Sequence, residues 1–304
     1  YQRVADLEAR MGADGMAKVV KGMVLIPAGD FRMGDAFGEG EEDELPVHTV
    51  TVSAFYMDQY EVTKARWDEV AAWAATNDYD ILPSSGSGNE PSHPVYDVNW
   101  YECVKWANAR SEMDNKTPCY YTGAGLATVY RSGILDLENN WVRWDADGYR
   151  LPTEAEWEKA ARGGATGRRY PWANANLIDH YRANYRGEPD SYSYDTSLVT
   201  GYHPAFYSTT GVYTSPVGSF GPNGYGLCDV AGNLEEWCWD WHETAYYANS
   251  PDDDPHGPAS GSLRIKRGGD WFFGAGICRV AARLYDAPFL QEDHIGFRLV
   301  RSAQ

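Results

Sequence analysis

The stretch from Arg267 to Arg298 constrains the chain more than any other, because it mixes two kinds of residue that no regular element can hold together. Arg267, Gly268, Gly269, Trp271, Cys278, Arg279, Val280, Ala281, Arg283 and Ile295 to Arg298 read as framework. They combine glycine pairs for tight turns with arginines suited to buried ion pairs or carbonyl contacts. Between them lie Asp270, Phe272, Phe273, Gly274, Gly276, Ile277, Ala282, Leu284, Tyr285, Asp286, Ala287, Phe289, Leu290, Glu292, Asp293 and His294, which follow neither a period of 2 nor one of 3.6. Such a run predicts a loop-rich surface hung on short strands, with the rest of the chain as its scaffold.

Composition agrees with a scaffold of that kind. The 304 residues include 31 Gly, 12 Trp and 22 Tyr, which predicts turns and ring packing rather than long helices. The net charge of −18 and the lack of a basic run exclude nucleic acid as a partner. No apolar run is long enough to span a bilayer. With five cysteines and no CxxC spacing, isolated thiols are expected rather than a disulfide framework or a zinc site.

Residues 1–21 read as a linker or short helix preceding a domain over 22–304. Met23 to Gly34 predicts a hairpin, and Gly38 to Glu44 reads as a solvated acidic loop. Strands are expected over His48 to Val52 and Ala54 to Asp58. Three helix starts follow. Thr63 caps a helix with Trp67, Val70, Ala71 and Ala74 on one face. Asn99 with Glu102, and Thr153 with Glu156, make capping boxes. The intervening segments 112–148 and 163–215 are long enough to be functional, or to be ordered by ions and aromatic packing.

The blocks MVLIPAGDFRMGD (23–35), PVHTVTVSAFYMDQYEVT (46–63), HPVYDVNWYECVKWANA (93–109), YRLPTEAEWEKAARGG (149–164), SPVGSFGPNGYGLCDVAGNLEEW (215–237) and RIKRGGDW (264–271) together resemble the formylglycine-generating-enzyme, or sulfatase-modifying factor, domain. The resemblance implies an α+β chain with a C-type lectin fold, irregular and loop-rich, with few short helices and antiparallel strands. The oxidase members of that family bind copper through two cysteines five residues apart after the RGG block. Here Cys278 stands at the second position and Phe273 at the first, so the expectation is that the chain is not an enzyme and that Cys278 is a packed core thiol. The family's iron-dependent branch uses three histidines, and the seven histidines here form no HxxxH or HxE cluster.

The last block, about 267–300, resembles the variable region of diversity-generating retroelement proteins, with fixed marks at Trp271, Ala275, Cys278 to Ala281, Arg283, Pro288 and Ile295 to Val300. In those proteins asparagine codons are rewritten at adenines. Of the irregular positions named above, only Glu292 holds a residue such rewriting cannot reach from an AAY codon. The resemblance thus implies a hypervariable receptor or adhesin that binds an unidentified protein or cell-surface ligand through those sixteen positions. It also implies display on a bacterial cell surface, as an outer-membrane lipoprotein touching the membrane only through an N-terminal lipid anchor. Exposed positions tolerate such change, whereas buried ones do not. Packing into the core competes most strongly at Phe273 and Ile277.

No cofactor is required on this reading. The resemblance implies a structural Ca2+ at Asp229, Gly232, Leu234 and Glu236, and a second metal site that starts at Asn184; for Asp229 and Glu236 turn capping without metal is the alternative. Two other functions remain: a copper-dependent oxidase using Cys278, and a calcium-dependent carbohydrate-binding module. For the latter, Trp237, Trp239, Trp241 and Trp271 read as core rings rather than sugar platforms.

Overall fold

A computed structural model describes residues 20–206, 208–209 and 211–303. Of the linker or helix expected over 1–21, residues 1–19 lie outside the described residues. Short antiparallel strands and three helices carry the architecture, and long irregular segments fill the space between them, as the lectin-type reading predicts.

The first strands depart from the expected hairpin. β1 (Met23–Ile26) and β2 (Gly29–Met33) follow one another closely, yet they do not pair together. β1 pairs with β4 (Phe55–Asp58), and β2 with β3 (His48–Val52), each antiparallel. Pro27 has no N–H to give a hairpin ladder, and Gly29 takes a φ of 134°. The chain therefore turns a corner there and enters a second sheet. β9 (Val300–Ser302) completes the first sheet against β4, bringing the C-terminal end beside the N-terminal strands.

The helix starts lie where the capping residues put them. α1 (Lys64–Ala74) begins at Thr63, whose hydroxyl accepts the Arg66 N–H, and it buries Trp67, Val70, Ala71 and Ala74. α2 (Trp100–Met113) and α3 (Glu154–Arg162) open on reciprocal capping boxes at Asn99/Glu102 and Thr153/Glu156. Each cap is worth about 1 kcal/mol. Trp67 and Trp106 stack between α1 and α2 with ring centroids 5.7 Å apart, and Phe297 sets its edge against both.

α3 is buried along its whole length although it carries Glu154, Glu156, Glu158, Lys159 and Arg162. Gly163, at φ 57°, ends it in the left-handed conformation. So many buried charges need partners: the C-terminal arginines Arg283 and Arg267 meet Glu154 and Glu158, Arg150 meets Glu156, Arg162 pairs with Glu158, and Lys159 donates to the carbonyls of Gly29 and Val52.

The long segments are held by specific bonds. The Asn108 amide donates to the carbonyls of Tyr120 (2.8 Å) and Tyr130 (3.0 Å) and accepts the Tyr120 N–H, pinning the 114–153 segment to α2. The third sheet, in the order β7-β6-β5-β8, carries the site. It comprises β5 (Glu235–Trp241), β6 (Arg264–Arg267), β7 (Leu284–Asp286) and β8 (Ile295–Gly296). β8 runs parallel to β5, with Glu235 opposite Ile295.

Candidate functional site: a framed face over an acidic cleft

Two loops of the third sheet, 268–283 and 287–294, present the irregular residues, and arginines hold them in place. Arg267, fully buried, donates to the carbonyls of Val280 (2.8 Å), Ala281 (2.9 Å) and Ala282 (2.8 Å), closing the first loop on its own start. The same guanidinium pairs with Glu158 of α3. Arg283 grips Glu154 at 2.8 and 3.0 Å. Arg279 holds Glu44 through two 2.7 Å bonds. Arg298 holds Glu236, which lies opposite Arg267 on the neighbouring strand.

These pairs correct the reading of 38–44 as merely solvated. Asp43 and Glu44 are buried, and Asp43 meets both His242 (2.9 Å) and Arg283. Burial works against the charged form of Asp43, but the His242 hydrogen bond and the Arg283 charge hold its carboxyl below the usual range. The acidic segment is thus a wall of the site. Four framework arginines in the sequence, each needing an acid, are the signal that could have revealed it.

Most of the irregular positions reach the surface. Phe272, Phe273, Tyr285 and Phe289 are exposed, the last to 66%. Gly274, Gly276, Leu284, Asp286, Ala287, Glu292, Asp293 and His294 are partly accessible. Ile277 and Leu290 are accessible on one side and packed against core clusters on the other.

Two positions depart from the expected exposure. Ala282 is buried because Arg267 needs its carbonyl. Asp270 is buried because its Oδ1 accepts the N–H groups of Phe272 (2.7 Å) and Phe273 (2.8 Å), shaping the turn that projects both rings. The two phenyl rings meet edge to face, with centroids 5.0 Å apart, and His294 packs against both.

Below this rim lies a cleft of about 720 Å³. Asp43, Glu235, Lys266, Phe273, Tyr285, Asp286 and His294 are among its lining residues. Glu235 and Lys266 escaped the sequence reading because they sit within apparently structural runs on β5 and β6. Lys266 reaches both Glu235 and Asp286, the latter at 2.8 Å.

All five cysteines are free and buried. Burial, with the nearby Asp270 charge, pushes the Cys278 thiol well above its ordinary range, so it is a packed thiol and not a thiolate. Trp237, Trp239, Trp241 and Trp271 are all buried, which leaves none of their faces for a sugar.

Around the expected calcium position, Glu61, Asp229 and Glu236 surround Arg298, and all four side chains are buried. Asp229 is pushed up to about 6 by burial, with Glu236 adding to the shift. Its Oδ2 accepts the Gly218 N–H, the Phe220 backbone also favours the carboxylate, and Oδ1 is buried with no donor at normal hydrogen-bond geometry. Asn184, bridged to Gly232, likewise has a buried Oδ1 without a partner. An orphan carboxylate oxygen amid excess negative charge fits a hard cation. Glu236 fits less well, since Arg298 engages both its oxygens and the Trp157 indole donates at 2.7 Å.

Residues 11–303 match the sulfatase-modifying factor enzyme 1-like domain. The chain belongs to that family. The formylglycine-generating enzyme of Streptomyces coelicolor is 36% identical over 97% of this chain and 94% of its own length. That of Thermomonospora curvata is 37% identical over 92% and 93%. Among solved structures, Treponema denticola variable protein 1 superposes with a TM-score of 0.66 at 30% identity, covering 92% of this chain and 94% of its own.

These relatives overturn one expectation. The phenylalanine at 273 suggested a chain that is not an enzyme, but family members of more than one-third identity along nearly the whole chain are enzymes, and this points to an enzyme here. One side chain five positions from Cys278 does not outweigh similarity of that extent.

Proposed function

We propose that this family member binds a macromolecular ligand, a protein or another cell-surface component, on the face formed by loops 268–283 and 287–294. One observation carries the reading: along a single stretch, the framework side chains are buried and bonded, while most of those between them face outward. A face so built can change its side chains without unfolding the domain. Phe272, Phe273, Tyr285 and Phe289 supply aromatic anchors, and Asp286, Asp293 and His294 a polar rim, the usual composition of a protein-binding hot spot. The likeness to a variable protein of known structure supports the same reading.

The finer part of the proposal is that a retroelement diversifies these positions and that the domain is displayed as a bacterial surface lipoprotein. Sequencing the 3′ end of the gene across isolates tests it. Substitutions are expected at Phe272, Phe273, Tyr285, Phe289 and their accessible neighbours, with Arg267, Cys278, Arg279, Arg283 and Arg298 unchanged. Asp270 and Ala282, being buried, should vary least of the sixteen. An even spread of changes across 267–300 would refute it.

The enzymes among the relatives favour a second reading, in which the cleft beneath the face holds a substrate and acts on it. Both readings place the ligand at the same rim. For the calcium, Asp229 with the carbonyls of Gly232 and Leu234 would hold the ion, Glu236 serving mainly to anchor Arg298, and Asn184 offers its free amide oxygen beside them. Its role would be to neutralise buried negative charge and fix the turn.

A further inference from the structure

We propose that Glu235, Asp270 and His294 form a site for one divalent transition-metal ion in the acidic cleft. The proposal shares Asp270 and His294 with the face described above, and it requires these two positions to stay fixed while the rest of that face varies.

The fold itself brings these three residues together. Glu235 starts β5, and its N–H donates to the carbonyl of His294 (2.9 Å), because β8 enters parallel to β5 at that point. Asp270 lies three residues beyond the end of β6, the antiparallel neighbour of β5. A carboxylate oxygen from each acid and one imidazole nitrogen all lie within 4.8 Å of one another. Ligands held about 2.0–2.2 Å from one ion are roughly 3–4 Å apart, so a small inward movement of the accessible histidine closes the set.

A second observation points to a ligand there. Asp270 is completely buried, and its Oδ1 is committed to the two backbone N–H groups. Oδ2 receives no N–H or hydroxyl donor, and the side chain that meets it is the Glu235 carboxyl. A buried carboxylate oxygen left without a donor costs stability unless a proton or a cation meets it.

Lys266 contacts Glu235 but is also bonded to Asp286 at 2.8 Å, so it keeps a partner when Glu235 turns to an ion. The cleft wall adds Glu41, Glu42 and Asp43, and the net field favours a cation. Two carboxylates alone would suit Mg2+ or Ca2+; the imidazole selects Mn2+, Fe2+, Co2+ or Zn2+. The open cleft leaves coordination positions for water or a second ligand.

Co2+ titration of the purified full chain, followed by visible absorption and calorimetry in excess Ca2+, tests the assignment. One Co2+ per chain is expected, with the absorption of a nitrogen- and oxygen-ligated ion. H294Q and D270N should each weaken binding at least about tenfold. E69Q, on the exposed side of α1, should leave it unchanged. H294Q alters a partly exposed side chain, so it carries the test even where D270N fails to fold. Absence of Co2+, Mn2+ and Zn2+ binding, or Co2+ binding that survives H294Q, would overturn the proposal.

Discussion

Replacing Arg267 by Met separates a framework residue from the face it supports. Its guanidinium is wholly buried, paired with Glu158 and donating to three consecutive carbonyls. Methionine fills much of the space but donates nothing. Glu158 keeps Arg162, whose Nε lies 3.0 Å from Oε1, so its charge is not left wholly bare. The three carbonyls have no such reserve.

Breaking a buried pair costs about 3–5 kcal/mol, and each buried acceptor left unmet adds roughly 1–3 kcal/mol, partly recovered by relaxation. A loss of about 4 kcal/mol or more is therefore expected in urea unfolding, equivalent to roughly 8–16 °C in Tm. Adding E158Q to R267M should recover part of it, because the surplus charge goes. By contrast, F289A on the exposed rim should stay within about 0.5 kcal/mol. An R267M protein within about 1 kcal/mol of the parent would refute the claim that buried arginines fix the loops.

Gly269→Ala should destabilise the loop by about 1–3 kcal/mol in the same assay, since Gly269 has φ 71° and a Cβ there would meet the Cys278 nitrogen at 2.9 Å. The contribution of Asp240 to stability should fall as pH rises between about 4 and 8. Burial, with Glu154 beside it, pushes Asp240 up to about 8, so the native state holds a proton there that the unfolded chain releases near its ordinary 3.8. The D240N variant should flatten that slope, and parallel profiles for the two proteins would count against it. If Asp229 holds calcium, chelation should lower Tm in the parent and leave D229N unmoved; equal responses would remove the calcium proposal. Y285A and F289A should each weaken ligand capture by about tenfold or more with unchanged Tm, once a ligand is in hand.

The parts of the fold legible in the sequence were those set by local chemistry. Thr63, Asn99 and Thr153 announce helix starts because a side-chain oxygen three residues ahead of an N–H satisfies it wherever the rest of the chain goes. The division of 267–298 into framework and face was also legible, since glycine pairs and arginines interrupt a run without period. Pairing over long separations was not. Nothing local tells Met23 to Met33 that its strands will pair with His48 to Val52 and Phe55 to Asp58 rather than with each other. The acidic segment misled for the same reason: Glu44 finds Arg279 a full 235 residues away.

That distance also explains where the site's chemistry hid. Asp270 looked like one more irregular position, and Glu235 like part of a core strand, when each was taken alone. Their meeting depends on β8 lying parallel to β5, a contact that only the closed fold makes. A face proposed to vary must not depend on any single side chain it displays, and the exposed Phe272, Phe273 and Phe289 meet that condition. Asp270 breaks it, because two backbone N–H groups and an unpaired oxygen depend on it. The buried acids at the base of the loops therefore answer to a different constraint from the rings above them. Variation at the rim, with Glu235, Asp270 and His294 held fixed, is the pattern expected if the cleft binds an ion while the face selects what reaches it.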